Sequence, residues 1–356
     1  MKKLIALILS AVLLLSLSAC SGGSPSPSPS VLSPSPSDTD PSPSDTDPSQ
    51  DNTVVAFPDP AFEAAVREAI GKPEGDITKG DVAGVTELDV SGTYEVRGDI
   101  RDMTGIEHFT ALTVLDCSSN QLTALDVTRL TALIVLDCVN NQLTTLDISH
   151  NIVIENLNCY ENQLTTLDVS RNTALTRLIC ANNQLTALDV NRLAALTWLD
   201  CRDNQLTSLD VSRLTALTVL NCGGNQLTTL DVSRLAALTV LNCGGNQLTA
   251  LDVSRLAALT ELNCRDNQFT TLDLSGATAL TYLSCDRNQL TALDVSGATA
   301  LKNLVCDDNQ LTALDVSRLA ALTQLYCSGN YFPDISAIIG LDEGRTVCFF
   351  DPQNSR

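Results

Sequence analysis

The chain has 356 residues, of which 42 are acidic and 21 are basic, so its formal net charge is −21. Because nucleic-acid binding depends on cationic contacts with phosphates, this charge argues against a nucleic-acid partner, and also against a polybasic membrane-binding patch. With two histidines, neither beside a plausible nucleophile, and with no phosphate-binding or dinucleotide-binding loop, the sequence argues against an enzyme.

Residues 1–20 have the features of an export signal. Two lysines precede an apolar stretch from Leu4 to Leu17, which is short for a transmembrane helix and typical of a secretory signal. The stretch ends in Leu17-Ser18-Ala19-Cys20, which resembles the bacterial lipoprotein signal, whose cysteine is lipidated and becomes the mature N-terminus. We therefore expect a chain exported to the bacterial cell envelope and lipid-anchored through Cys20 to the outer face of a membrane. An ordinary signal peptide with a chance cysteine is the alternative.

Residues 21–52 are almost wholly Ser, Pro, Asp and Thr. Such a segment has too few apolar side chains to bury a core, and its prolines favour the extended polyproline II conformation. We predict a disordered stalk, which at roughly 3.1 Å per residue would reach about 100 Å when fully extended. A passive linker fits the same composition.

Residues 53–111 are predicted to form an N-terminal helical cap and an irregular first repeat. Asp59-Pro60 should begin a helix, as N-cap and first helical residue, that ends before Gly71. Thr78 followed by Asp81 predicts a second, shorter helix. The segment from Val85 to Val90 then has the spacing of a first strand.

Residues 112–342 are eleven repeats of 21 residues without insertions. The period is marked by twelve of the thirteen cysteines, which are Cys117, Cys138, Cys159, Cys180, Cys201, Cys222, Cys243, Cys264, Cys285, Cys306, Cys327 and Cys348. Residues 343–356 are predicted to form a C-terminal cap strand and tail, with Phe349 and Phe350 as an aromatic lid. One coil cannot stand alone, because burying six or seven apolar side chains gains on the order of 10–20 kcal/mol, whereas ordering 21 residues costs on the order of 20–40 kcal/mol. Stacking of identical coils supplies the remaining stabilisation, through hydrogen bonds between strands and burial of the coil faces.

Within the first repeat, two apolar trios predict two extended segments. The first is Leu112-x-x-Leu115-x-Cys117, which should contain a short strand, and the second is Leu122-x-x-Leu125-x-Val127, on the opposite side of the coil. Asn120 lies at the bend between them, where its amide can bond turn backbone.

The pattern L-x-x-L-x-C-x-x-N-x-L resembles the leucine-rich repeats of the bacterial internalin-type family, in the form that carries a cysteine ladder. The likeness covers residues 54–356. It implies a β-rich solenoid of 21-residue coils with a concave parallel β-sheet and a small N-terminal helical cap, used to bind proteins or glycans. No L-P-x-T-G sorting motif occurs near residues 351–356, so we expect lipid rather than cell-wall attachment.

Two ladders invite chemical interpretations. We interpret the cysteines as small buried hydrophobes with free thiols, with disulfides as an alternative for an exported chain and metal binding disfavoured because no C-x-x-C occurs. The second ladder runs from Asp126 to Asp315 and should point outward. Arginines three residues later, and hydrogen bonds to local amides, should relieve its repulsion, so we expect no cofactor. Calcium bound by these carboxylates is the alternative.

We number each repeat from its first leucine, which is Leu112 in the first repeat. The repeats differ from one another mainly at positions three, five and seven, which should face the concave surface. We predict a ligand-binding surface there, because aromatic and arginine side chains dominate protein-binding hot spots. Its predicted residues are Tyr160, Arg177, Ile179, Trp198, Arg202, Arg265, Tyr282 and Tyr326. Glycine pairs in the next two coils should leave the face open. The resulting hypothesis is a monomeric surface protein for recognition or adhesion, with a protein or glycan partner; a structural spacer without a ligand is the alternative.

Overall fold

The computed structural model describes residues 50–93 and 98–354. The predicted signal peptide, Cys20 and nearly all of the predicted stalk lie outside the described residues. In the described part of the chain, no helix is long and apolar enough to cross a membrane.

Two short helices cap the N-terminal end, as the sequence predicts. Helix α1 (Pro60–Ile70) begins after Asp59, whose side chain accepts hydrogen bonds from the first-turn amides, and ends at Gly71 in the left-handed conformation. The same Asp59 carboxylate accepts hydrogen bonds from the amides of Arg101 and Asp102, at 2.7 and 3.0 Å, which ties the helix to the first coil. Helix α2 (Lys79–Ala83) has a reciprocal capping box between Thr78 and Asp81.

The repeats form a solenoid with one continuous parallel sheet, whose strands pair in chain order. They are β1 (Glu87–Asp89), β2 (Val114–Asp116), β3 (Val135–Asp137), β4 (Asn156–Asn158), β5 (Arg177–Ile179), β6 (Trp198–Asp200), β7 (Val219–Asn221), β8 (Val240–Asn242), β9 (Glu261–Asn263), β10 (Tyr282–Ser284), β11 (Asn303–Val305), β13 (Gln324–Tyr326) and β15 (Val347–Phe349). Two further short strands, β12 (Leu314–Asp315) and β14 (Ile338–Ile339), pair with each other on the other side. From β2 to β13 each central leucine pairs with its counterpart one repeat later, as Leu115 does with Leu136. The first step, from Leu88 to Leu115, is longer than the repeat.

The core runs along the solenoid as stacked rows of leucine, cysteine and valine. The regular strands bury their central leucine and leave most flanking side chains at the surface, which confirms the predicted inward and outward alternation. The flanking Asp200 and Ser284 are buried as well. The eleven cysteines from Cys117 to Cys327 are buried as free thiols. Their thiols donate to carbonyl oxygens of the next coil where geometry permits, as from Cys138 Sγ to Asn158 O at 3.5 Å.

On the convex side, most of the predicted second extended segments are not joined into a strand ladder. The only strands on this side of the described chain are β12 and β14, and elsewhere single bridges join Asp126 to Asp147 and Asp252 to Asp273. Amides at the two ends of this segment donate to side chains rather than to a neighbouring strand, as Leu206 N does to Asn225 Oδ1 and Ser212 N does to Asp210 Oδ1, both at 3.0 Å.

The C-terminal end also departs from the predicted ladder. Cys348 pairs with Leu325 rather than with Cys327, so the last step is longer than the repeat period. This register points Cys348 and Phe350 inward, whereas a step equal to the period would point Thr346 and Cys348 inward. Phe350 packs against Phe332 with ring centroids 5.9 Å apart. The prediction that Cys348 is a twelfth equivalent rung is therefore wrong, because burying an aromatic ring outweighs keeping the period.

Candidate binding site on the concave face

Four of the predicted side chains meet in the middle of the concave face. Tyr160 follows β4, Arg177 begins β5, Trp198 begins β6 and Arg202 follows β6. Parallel pairing places Arg177 directly opposite Trp198. We call these four residues the central cluster.

The central cluster is held by two contacts between cations and aromatic rings. The Arg177 guanidinium lies 4.1 Å from the Trp198 ring centroid, and that of Arg202 lies 5.8 Å from the Tyr160 centroid. The Tyr160 hydroxyl also accepts a hydrogen bond of 3.0 Å from Asn182 Nδ2. Such contacts between cation and ring are worth about 0.5–2 kcal/mol, so the rings and guanidinium groups are preorganised for binding.

Asp200 supplies the negative charge next to this cluster. Its carboxylate lies 3.6 Å from Arg202 Nη1. Burial raises the pKa of Asp200, while Arg202 acts in the opposite direction. Burial lowers the pKa of Arg177, with Asp200 opposing that shift. The site therefore holds charges of both signs in a partly dehydrated setting, where the interaction between two charges is stronger than in water.

Two polar atoms beside the cluster have no hydrogen-bond partner among the described residues. They are the indole Nε1 of Trp198 and the amide Oδ1 of Asn221. Asn221 pairs in register with Asp200, so it lies in the coil adjoining Trp198. Leaving a buried donor or acceptor unpaired costs about 1–3 kcal/mol. Both atoms are shut away from solvent, so a ligand can pair with them only after neighbouring side chains move. Sequence reasoning singled out neither atom, because an unpaired group is visible only after packing.

At position five, several side chains have a structural role that the variability analysis missed. The side chains of Asp116, Asp137 and Asn242 accept hydrogen bonds from the amide two residues later, at 3.0 to 3.1 Å. Each bond closes a turn where the strand ends. Asp and Asn therefore recur at this position for a reason independent of any ligand.

The glycine pairs likewise have a structural reason. Gly224 and Gly245 have φ values of 62° and 65°. Eight other coils hold a non-glycine residue with positive φ at the same position, among them Glu161 and Arg287. Glycine relieves the backbone strain of this conformation. The pairs also leave two coils without side chains beyond the strand, as the sequence predicted.

Four other predicted residues share the concave face but do not join the central cluster. Tyr282 lies four strands beyond Trp198 in register, about 19 Å away at ordinary strand spacing. Arg265 lies 3.7 Å from Asp266. Tyr326 stacks on Phe349 with centroids 4.4 Å apart, so the C-terminal cap covers one of its faces. Ile179 is half-buried at the end of β5. It stands at position five of its coil, between the position of Arg177 (three) and that of Tyr160 (seven).

A row of carboxylates lies on the first coils of the same face. Asp89, Asp116 and Asp137 are in register on three successive strands. Burial, with Asp116 close by, raises the pKa of Asp137 to about 6. Burial also raises the pKa of Asp116. Asn158 Nδ2 donates to Asp137 at 3.1 Å, but no cation pairs with these three groups in the described structure.

Among the described residues, no group of three or more His, Cys, Asp or Glu side chains is placed to hold a metal ion. Burial raises the pKa of the ladder thiols, to about 12 for Cys159. The outward aspartates accept local hydrogen bonds, as Asp210 does from Ser212 at 3.0 Å, and these bonds lower the pKa of Asp210. The arginines three residues later form no salt bridge with these aspartates in the described part. Their charges still lower the pKa of the aspartates, as Arg213 does for Asp210, in line with the predicted relief of repulsion.

Known proteins match both the repeat and the whole solenoid. The family described as Leucine Rich repeats (2 copies) matches residues 195–236 and 215–257. The functional domain of InlJ from Listeria monocytogenes, which includes a cysteine ladder, is 36% identical, with a TM-score of 0.76 over 83% of this chain and 70% of that one. The chain belongs to the internalin-type family of leucine-rich-repeat proteins.

Two further structures place this internalin-type chain among more distant solenoids. The internalin InlF from Listeria monocytogenes has a TM-score of 0.71 at 22% identity, over 84% of this chain and 96% of that one, and so shares the fold. The leucine-rich-repeat protein LIC12759 from Leptospira interrogans has a TM-score of 0.64 at 28% identity, over 71% and 69%. A search of curated proteins finds no match.

Proposed function

We propose that this internalin-type chain is a surface-anchored recognition protein that binds a protein partner through its concave face, with the central cluster as the hot spot. The observation that carries the proposal is the packing of Trp198 and Tyr160 against two arginines on neighbouring coils of the parallel sheet. Large rings with guanidinium groups at the centre of a surface are the usual composition of a hot spot. Curved solenoids present such extended concave surfaces for binding.

The charges of the face indicate what the partner carries. Eight carboxylates stand at positions three, five and seven of the coils, which face the concave side. They are Glu87, Asp89, Asp116, Asp137, Asp200, Glu261, Asp286 and Asp307. Three arginines stand there, and each already contacts a ring or a carboxylate. The face as a whole is therefore acidic, and we propose a partner with basic side chains over the first coils. Charge complementarity of this kind mainly speeds association and selects partners.

The remaining parts of the proposal concern location and assembly. We propose that Cys20 carries a lipid that holds the chain to the outer face of a bacterial membrane, with residues 21–52 as the spacer. The domain acts as a monomer and as a binding scaffold rather than an enzyme.

The test compares two matched double variants of a chain that begins at Ser21. Tyr160→Ser with Trp198→Ser removes both rings of the central cluster, whereas Arg213→Ser with Arg234→Ser changes the convex side. Partners are captured by crosslinking from cell-surface extracts, identified, and then titrated in purified form. We expect the concave variant to lose roughly 100-fold or more in affinity, because hot-spot residues each contribute about 2 kcal/mol or more.

The control variant should bind like the unaltered chain, and both variants should keep its thermal stability. If the concave variant binds as tightly as the control, the central cluster is not the site. If neither purified proteins nor immobilised glycans bind the unaltered chain, the structural spacer is the better description. Binding of glycans alone would replace the protein partner by a carbohydrate.

A further inference from the structure

The last strand of the sheet carries a cysteine, Cys348, that is less buried than the other cysteines of the ladder. Cys348 is only half-buried, whereas the other eleven cysteines of the described chain are fully buried. It stands in the terminal strand β15, which pairs with β13 on one side only. An edge strand of this kind can shift without breaking a second ladder.

The sulfur atoms of Cys327 and Cys348 approach closely. Their Sγ atoms are 4.0 Å apart. A disulfide bond requires about 2.05 Å, so the sulfurs must approach by about 2 Å. The two residues are offset in register, since Cys348 is opposite Leu325. Closing the gap therefore needs a movement of β15 along its neighbour, which a terminal strand permits.

The two thiols also differ chemically in the way that exchange requires. The Cys327 contact lowers the pKa of Cys348, and the Cys348 contact together with burial raises the pKa of Cys327. The half-exposed Cys348 is then the thiol that attacks first, because a thiolate is the nucleophile. Burial raises the pKa of the other ladder thiols, as for Cys222 and Cys264, and their sulfurs are shut away from solvent.

We propose that Cys327 and Cys348 form a reversible disulfide that fastens the C-terminal strand to the last regular coil. The oxidant is a disulfide, either a small one such as oxidised glutathione or that of an oxidoreductase. The Cys348 thiolate attacks it and expels one thiolate, giving a mixed disulfide. Cys327 then attacks the Cys348 sulfur, loses its proton, and expels the second thiolate. Two thiols are oxidised and the oxidant disulfide is reduced to two thiols.

The bond would strengthen the attachment of β15 at the C-terminal end of the solenoid. Strand β15 is otherwise attached by hydrogen bonds such as Cys327 N to Phe349 O at 2.9 Å, and by the stacking of Tyr326 on Phe349. Terminal coils of a repeat array open first, because each is supported from one side. A covalent link across the last interface would suppress that opening while the other ladder thiols stay reduced.

The test uses the full chain, purified in reduced form and exposed to oxidised glutathione under native conditions. Remaining thiols are then blocked and the protein is examined by intact mass and peptide mapping. We expect one intramolecular disulfide, detected as the loss of two hydrogen atoms and mapped to Cys327 and Cys348. Cys348→Ser and Cys327→Ser should each abolish it. The matched control Cys306→Ser, one rung inward, should form it at an unchanged rate.

A second measurement guards against variants that fail to fold. Hydrogen exchange of the unaltered chain should slow about tenfold or more at Val347–Phe349 after oxidation, and recover after reduction. The proposal is overturned if oxidation stops at a glutathione adduct on Cys348, joins other cysteines, or consumes no thiol. Unchanged exchange at β15 in a chain that carries the bond would overturn its fastening role.

Discussion

At the scale of single residues, the concave face combines structural and binding roles that one position can share. Asp and Asn at the ends of strands close turns, as Asp137 does for Val139 N at 3.1 Å. The same carboxylates add negative charge to the face. Asp137 holds its charge in a half-buried place next to Asp116, so the charge itself is costly whereas the hydrogen bond is useful.

Replacing Asp137 with Asn should therefore stabilise the chain at pH 7. Asn keeps the acceptor for Val139, as Asn242 does for Gly244, and removes the charge, at the loss of the oxygen that accepts from Asn158 Nδ2. Burial raises the folded-state pKa of Asp137 to about 6 from 3.8. Above that pH the folded chain bears the full cost of ionisation, roughly 1–3 kcal/mol. The cost declines as the pH falls through 6, and disappears near pH 4, where the unfolded carboxyl is also protonated.

Urea unfolding of both proteins between pH 4 and pH 8 checks this prediction. The variant should be more stable at high pH, and the two curves should converge as the pH is lowered. Asp231→Asn serves as the control, because hydrogen bonds to Ser233 lower the pKa of that exposed carboxyl. An equal gain in both variants would show that net charge, rather than the burial of Asp137, is responsible.

At the scale of the element, the unit of stability is the contact between neighbouring coils. The asparagine of each repeat links three backbone segments. Asn225 Nδ2 donates to the carbonyls of Cys201, Cys222 and Gly223, at 3.1 to 3.2 Å, and its Oδ1 accepts from Leu206 N at 3.0 Å. Two of these partners, Cys201 and Leu206, belong to the preceding coil. The side chain thus replaces the ladder bonds that end with the strand.

Replacing Asn225 with Ala should destabilise the domain by about 2–4 kcal/mol. The change leaves the buried amide of Leu206 and several carbonyls without their partner, and each unsatisfied buried group costs about 1–3 kcal/mol. Chemical unfolding monitored by circular dichroism measures the effect. Asn242→Ala provides a control, since that half-buried side chain accepts one bond, from Gly244 N. Equal losses in the two variants would contradict the role given to the asparagine ladder.

At the scale of the whole molecule, the internalin-type chain is a rigid array with two different ends. Helices α1 and α2 close the first coil, and a strand with aromatic side chains closes the last. The central cluster lies on and beside β4, β5 and β6, several strands from either end of the sheet. Such a position leaves the cluster clear of both caps.

The proposed anchor predicts how the whole molecule partitions in cells. The unaltered chain should fractionate with membranes, and Cys20→Ala should move it to the soluble fraction, since a lipid chain supplies most of the membrane affinity. Cell fractionation with mass analysis of the N-terminal peptide measures this. Cys348→Ser should remain with the membranes. An unaltered chain that is soluble and unlipidated would refute the anchor.

The repeat period by itself determined most of the fold. Coils of equal length can stack only in register, so the strand positions, the buried leucines and cysteines, and the bonding role of the asparagines follow from the pattern. Both N-terminal helices followed from their capping residues, since caps are local chemistry. The family followed from the same repeats.

Tertiary structure decided what the period leaves open. Whether Arg177 stacks on Trp198, and which atoms remain unpaired, depends on the side-chain conformations that neighbouring coils permit. On the convex side most of the predicted second extended segments form no ladder, because side chains accept hydrogen bonds from amides at the ends of these segments. At the C-terminal end, the repeat pattern does not set the number of residues between β13 and β15. The packing of Phe350 therefore determines the register, which places Cys348 opposite Leu325. A periodic sequence specifies identical neighbours, whereas its ends and its variable surface are specified only by packing.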